Sequence, residues 1–121
     1  MTEQVSSVFI GSIKLKAQRV YENSKAHGFW VDGLDRNKGE MIALMHSELS
    51  EALEAIRIDE KGGEFLMDDH IPHRRSVEVE MADEVIRVMD FCAGFGYDLG
   101  GAIEDKMSFN EGRPPKHGKA F

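Results

Sequence analysis

Apolar residues recur at helical intervals over four stretches of the chain, and no stretch alternates apolar and polar positions as a half-buried strand would. The clearest pattern lies between Met41 and Ile56. Projected at about 100° per residue, Met41, Leu44, Met45, Leu49, Ala52 and Ile56 share one face. Glu48 falls inside that face and Glu51 sits at its edge, about one turn along. A carboxylate among core positions is expensive to desolvate, so Glu48 needs a proton, a basic partner or a metal ion.

Four helices follow from the same reading. The first spans Ser6 to His27, with Val8, Ile10, Ile13, Leu15, Ala17, Val20 and Tyr21 spread over a wide face, and Gly28 is suited to end it. Phe29-Trp30-Val31 follow in a loop, with turn chemistry at Asp32-Gly33 and Asp35-Arg36-Asn37. Two readings of Phe29 and Trp30 stand: hydrophobic anchors for the loop, or a platform that stacks on a nucleobase. The second helix runs from Lys38 to Arg57. From Asp59 to Arg75 the pattern breaks at Gly62-Gly63 and Pro72, giving a long loop, expected to be mobile. Its Asp68, Asp69, His70 and His73 lack metal-ligand spacing and read as a solvated surface.

The third helix spans Val77 to Phe95 and ends near Gly94 and Gly96. Its apolar arc (Val77, Met81, Val85, Val88, Met89 and Cys92, widened by Ala82, Ile86 and Ala93) calls for contact on more than one side, in a core or at a subunit interface. Glu80 and Asp83 lie off that arc, where periodicity alone makes them a solvated face, pairing with Glu84 or Arg87. The fourth helix spans Asp98 to Asn110, with Leu99, Ala102, Ile103, Lys106 and Met107 in one stripe. A Gly-, Pro- and base-rich tail from Glu111 to Lys119 follows, suited to phosphate oxygens or simply frayed. The expected architecture is all-α, a four-helix bundle in a single domain over residues 1–121.

Composition narrows the chemistry. A net charge of −7 and a pI near 5.2 lack the basic footprint of a protein that binds nucleic-acid polymers. They leave room for a small phosphorylated ligand bridged by divalent cations. Cys92 is the one cysteine and lies among apolar neighbours, so neither an internal disulfide nor a nucleophilic thiol is expected. No apolar run approaches the roughly 20 residues of a membrane helix. The N-terminus lacks a basic segment followed by an apolar one, so a cytoplasmic location is expected.

Two acid pairs, Glu48/Glu51 and Glu80/Asp83, fall on the second and third helices. If those helices pack antiparallel, four carboxylates face one seam and repel unless a cation joins them. Oxygen ligands of this kind select Mg²⁺ or Mn²⁺. Such an ion neutralises phosphate oxygens and acidifies a water, which suits hydrolysis of a phosphoanhydride. A carboxylate not fully engaged by metal can take the proton. No glycine-rich phosphate loop and no Glu-x-x-His element is present.

The segments His46-Ser47-Glu48-Leu49-Ser50-Glu51-Ala52-Leu53-Glu54-Ala55-Ile56-Arg57, Glu80-Met81-Ala82-Asp83-Glu84-Val85-Ile86-Arg87, Lys106-Met107-x-Phe109-Asn110-x-x-Arg113-Pro114 and His117-Gly118-Lys119 resemble the MazG-like all-α nucleoside triphosphate pyrophosphatases. The Phe29-Trp30 loop adds to the likeness, which covers nearly the whole chain. The resemblance implies Mg²⁺-dependent hydrolysis of a nucleoside triphosphate to the monophosphate and pyrophosphate. It implies Glu48, Glu51, Glu80 and Asp83 as metal ligands, with Glu48 and Glu51 catalytic. Lys106, Asn110 and Arg113 would contact phosphates or sugar, and Trp30 would lie near the base. A homodimer or homotetramer is implied as well, so that the bundle is completed by oligomerisation. Two alternatives are a phosphoribosyl-nucleotide pyrophosphohydrolase and a non-catalytic nucleotide-sensing module.

Overall fold

The computed structural model describes residues 3–32 and 35–120, so the Gly33 half of the expected Asp32-Gly33 turn lies outside the described residues. Over them run α1 (Glu3–Ala26), α2 (Lys38–Lys61), α3 (Ser76–Phe95) and α4 (Leu99–Glu111), then a short 3₁₀ turn at Pro115–Gly118. Among the described residues the only sheet-like pairing is an isolated bridge between Met67 and Arg75, and no helix is long and apolar enough to cross a membrane.

Helix α3 is the centre of the arrangement. It packs on α2 along one side and on α1 along another, while α4 lies chiefly against α1. Contact on two sides accounts for part of its wide apolar arc, whereas Met81, Ala82, Val85 and Ile86, expected in the same arc, are exposed. The helix ends are chemically specified. The Asn37 side chain caps α2 by accepting from Glu40 N at 2.9 Å, and Asp98 caps α4 by accepting from Gly101 N at 3.0 Å. Gly96 takes φ +77° to close α3, and the Tyr97 amide returns to the Cys92 carbonyl at 2.8 Å.

The inward seam of α2 is narrower than its hydrophobic pattern predicts. Met41, Met45, Glu48, Ala52 and Ala55 are buried, whereas Leu49 and Ile56, expected on the same face, are 44% and 40% exposed. The buried positions follow a four–three spacing, the heptad seam of closely packed helices. Small residues select it: Ala52 and Ala55 allow α3 a close approach that leucine and isoleucine side chains would prevent. A related shift occurs on α4. Gly100 rather than Ala102 is buried, because a Cβ there would lie 3.2 Å from the Ile10 backbone, and Ser6 Oγ fixes the rotation by donating to Glu104 at 2.9 Å. Ala102 and Met107 of the expected stripe face outward instead.

The stretch expected as one loop divides in two. Helix α2 continues to Lys61, and the rest folds back on itself. Asp59 accepts from the Leu66 amide at 2.7 Å and from Arg75 at 3.0 Å. The Arg75 guanidinium also lies 3.7 Å from the centre of the Phe65 ring. Asp68 turns the chain by accepting from the amides of His70 and Ile71. The Leu66 amide, with Arg75 beside it, holds the Asp59 carboxyl below its usual pKa.

Candidate metal centre

Residues 41–55 build one wall of the α2–α3 seam and residues 80–90 the other. Glu48, Glu80 and Asp83 each direct one oxygen into it, and these oxygens lie within 4.8 Å of one another. Glu51, one turn from Glu48, adjoins Glu80. The structure thus brings the four sequence-derived acids into one neighbourhood, three of them as a possible ligand set.

Their electrostatics follow from that crowding. Glu80 is pushed up to about 7, first by burial and then by the carboxyls of Glu51 and Glu48. Its Oε2 is sealed from solvent and has no hydrogen-bond donor. Two carboxylates can share a proton with it but, once ionised, can only repel it. Asp83 is also raised, by burial first and then by Glu48, Asp68 and Glu51, against the opposing pull of Arg87. A cluster of carboxylate oxygens with one buried oxygen lacking a donor could hold a metal ion.

Asp90 is the residue here that sequence reasoning missed, and Arg87 takes a different partner from the one periodicity offers, which is Glu80 or Asp83 on its own helix. Arg87 instead reaches across the seam, where its Nε donates to Glu48 Oε1 at 2.7 Å. Asp90, only 9% exposed, accepts from Ser24 Oγ at 2.9 Å, Trp30 Nε1 at 2.8 Å and Arg36 at 3.2 Å. Glu80, Asp83, Arg87 and Asp90 recur every three or four residues, so one polar stripe was legible along α3. What the sequence lacked was the identity of each partner.

Trp30 fills the anchoring role. Its indole packs 5.3 Å from the rings of Tyr21 and Phe95, lies under the Arg36 guanidinium at 4.8 Å, and rests on Gly94, where any Cβ would collide with it. Its N–H is committed to Asp90. Lys106 and Arg113 flank the exposed Phe109 ring at 4.8 and 5.3 Å, and Asn110 Oδ1 is buried without a partner. No hydrogen bond or ion pair among the described residues ties Lys106, Asn110 or Arg113 to the acids. A separate groove of about 410 Å³ between α1, the end of α3 and the start of α4 contains Cys92, whose thiol is pushed up by burial, and none of the four acids.

Comparison of the chain with protein-family models, with curated proteins and with solved structures finds no match to any of them.

Proposed function

We propose that the protein is a Mg²⁺-dependent pyrophosphohydrolase that converts a nucleoside triphosphate to the monophosphate and pyrophosphate, in the manner of the MazG-like enzymes its motifs resemble. The observation that carries this reading is the convergence of Glu48, Glu80 and Asp83 from two helices, with a sealed Glu80 oxygen that has no donor. When bound, Mg²⁺ or Mn²⁺ would supply charge that neutralises phosphate oxygens and lowers the pKa of a water. Glu48, Glu80 and Asp83 would hold the ion. Glu51, at the rim beside Glu80, accepts the proton of the water. Lys106 and Arg113 are the phosphate contacts, as cations with an exposed aromatic ring between them, and Asn110 faces phosphate or sugar. Trp30 supports the base side of the site from behind, since its indole N–H is already engaged.

The acting unit is a homodimer or homotetramer. Ile42, Leu49, Leu53 and Ile56 form a stripe on the flank of α2, each 40–49% exposed, and Met81 and Val85 of α3 are 47% and 50% exposed. The core of the single chain, by contrast, rests on alanines and methionines. A second copy covering that flank supplies the missing apolar burial. It also offers a way for α4, which packs chiefly against α1, to reach an acid pocket.

One observation favours a nucleotide-sensing module instead: Arg87 already neutralises Glu48. The two readings separate on incubation with a panel of nucleoside triphosphates and Mg²⁺. Release of pyrophosphate, lost in Glu48→Gln with helix content unchanged, supports the enzyme. Tight nucleotide binding without turnover supports the module, and full activity in Glu48→Gln removes that residue from the mechanism.

A further inference from the structure

The geometry points to Arg87 as a resident cation of the acid pocket, a positioning residue that holds Glu48 in place and competes with a divalent ion for its carboxylate. The inference rests on the metal reading above and adds to it a residue which that reading does not use.

Three features of the contact support it. The bond is short and charge-assisted, 2.7 Å from Nε to Glu48 Oε1. It is also unequal. The Glu48 side chain is 10% exposed while that of Arg87 is 39% exposed. Glu48 therefore cannot turn to water if it loses its partner, whereas Arg87 can leave without burying its charge. Finally, the bonded carboxylate belongs to the same cluster whose oxygens lie within 4.8 Å of one another. An ion that draws on Glu48 together with Glu80 and Asp83 has to share it with the guanidinium or displace it.

The arrangement explains how a crowded set of acids stays folded before an ion arrives. Glu80 has no donor of its own, and Arg87, one turn beyond Asp83, is the nearby positive charge acting against the repulsion. Its presence keeps Glu48 aimed into the seam, at the cost of a weaker attraction for a second cation. Once released, the guanidinium stays at the pocket rim on its flexible stem, with its donors free for an anionic ligand.

The test is equilibrium Mn²⁺ binding to the full chain, followed by the electron paramagnetic resonance signal of free Mn²⁺ at pH 8 and fixed ionic strength. Removing a unit charge a few ångströms from a partly solvated divalent site is expected to tighten binding about tenfold, so Arg87→Gln should bind Mn²⁺ about tenfold more tightly than wild type. Arg87→Lys, which keeps the charge, should remain within about threefold of wild type. If Arg87→Gln does not fold, Arg87→Met carries the same expectation. Mn²⁺ binding in wild type that is unchanged or weakened by the neutral variants overturns the competition alone. Absence of binding to wild type and to every variant overturns both the competition and the metal reading.

Discussion

Neutralising Glu80 is expected to stabilise the metal-free protein, and to do so only above mildly acidic pH. The Glu80 carboxyl moves from an ordinary 4.5 to about 7 in the folded chain. Between those values the folded state binds more protons than the unfolded one, so its stability falls as pH rises through the interval. At about 1.4 kcal/mol per unit, the ceiling on that loss at pH 8 is about 3.5 kcal/mol. Glu80 is only half-buried, and solvent screening brings the expected loss to about 1–2 kcal/mol. Glu80→Gln removes the charge, keeps the shape and adds an N–H that can donate to Glu51 or Glu48. Urea unfolding in the presence of a chelator, at equal protein concentration, should therefore show the variant more stable than wild type at pH 8 by about 0.5–1 M in midpoint. The gap should shrink strongly at pH 5, where wild-type Glu80 carries its proton. Added Mn²⁺ should raise the wild-type midpoint and leave that of the variant nearly unchanged. A difference between the two proteins that stays flat from pH 5 to pH 8 would refute the account of Glu80 as an acid held against its neighbours.

Other consequences can be checked separately. Gly94→Ala drives a methyl group into the Trp30 ring and should cost about 2–3 kcal/mol with a red-shifted tryptophan emission; an unaltered spectrum and melting curve would show that the indole does not rest there. Trp30→Phe keeps the ring packing but leaves Asp90 short of a donor, and a loss of about 1–3 kcal/mol is expected by chemical denaturation. Glu54, paired with Arg57 on the surface at 3.7 Å, is the control acid: Glu54→Gln should change neither pyrophosphate release nor stability by more than about 0.5 kcal/mol. Leu49→Lys combined with Leu53→Lys should reduce the assembly mass measured by light scattering, and an unchanged mass would exclude the α2 flank as the interface.

The four helices were legible because each carries a long apolar periodicity, closed by stop signals such as Gly28 and Gly96, but the end of α2 was not: the expected helix stops at Arg57, while the observed one runs on to Lys61. The rotation of each helix was not legible either. Hydrophobicity alone favoured Leu49 and Ile56 for the interior of α2, but a close helix pair prefers the alanines at 52 and 55, and size overrode hydropathy. The acids were legible as pairs because a three-residue spacing on a helix brings side chains to one face. Their partners were not, because Arg87 and Asp90 meet groups from other helices and loops, and no local pattern encodes a contact across 39 or 60 residues. The stretch after Asp59 was unreadable for a similar reason: its shape depends on Asp59, Leu66 and Arg75 meeting through side-chain bonds rather than on any repeat.

The methyl groups of Ala52 and Ala55 carry no charge and touch no ligand, yet they act as the shim that sets the gap between α2 and α3. That gap decides how far Glu48 stands from Glu80 and Asp83. A residue one or two branches larger at either position would wedge the helices apart and stretch the ring of oxygens without altering one of its members. The dimensions of the pocket are thus written in its most inert neighbours.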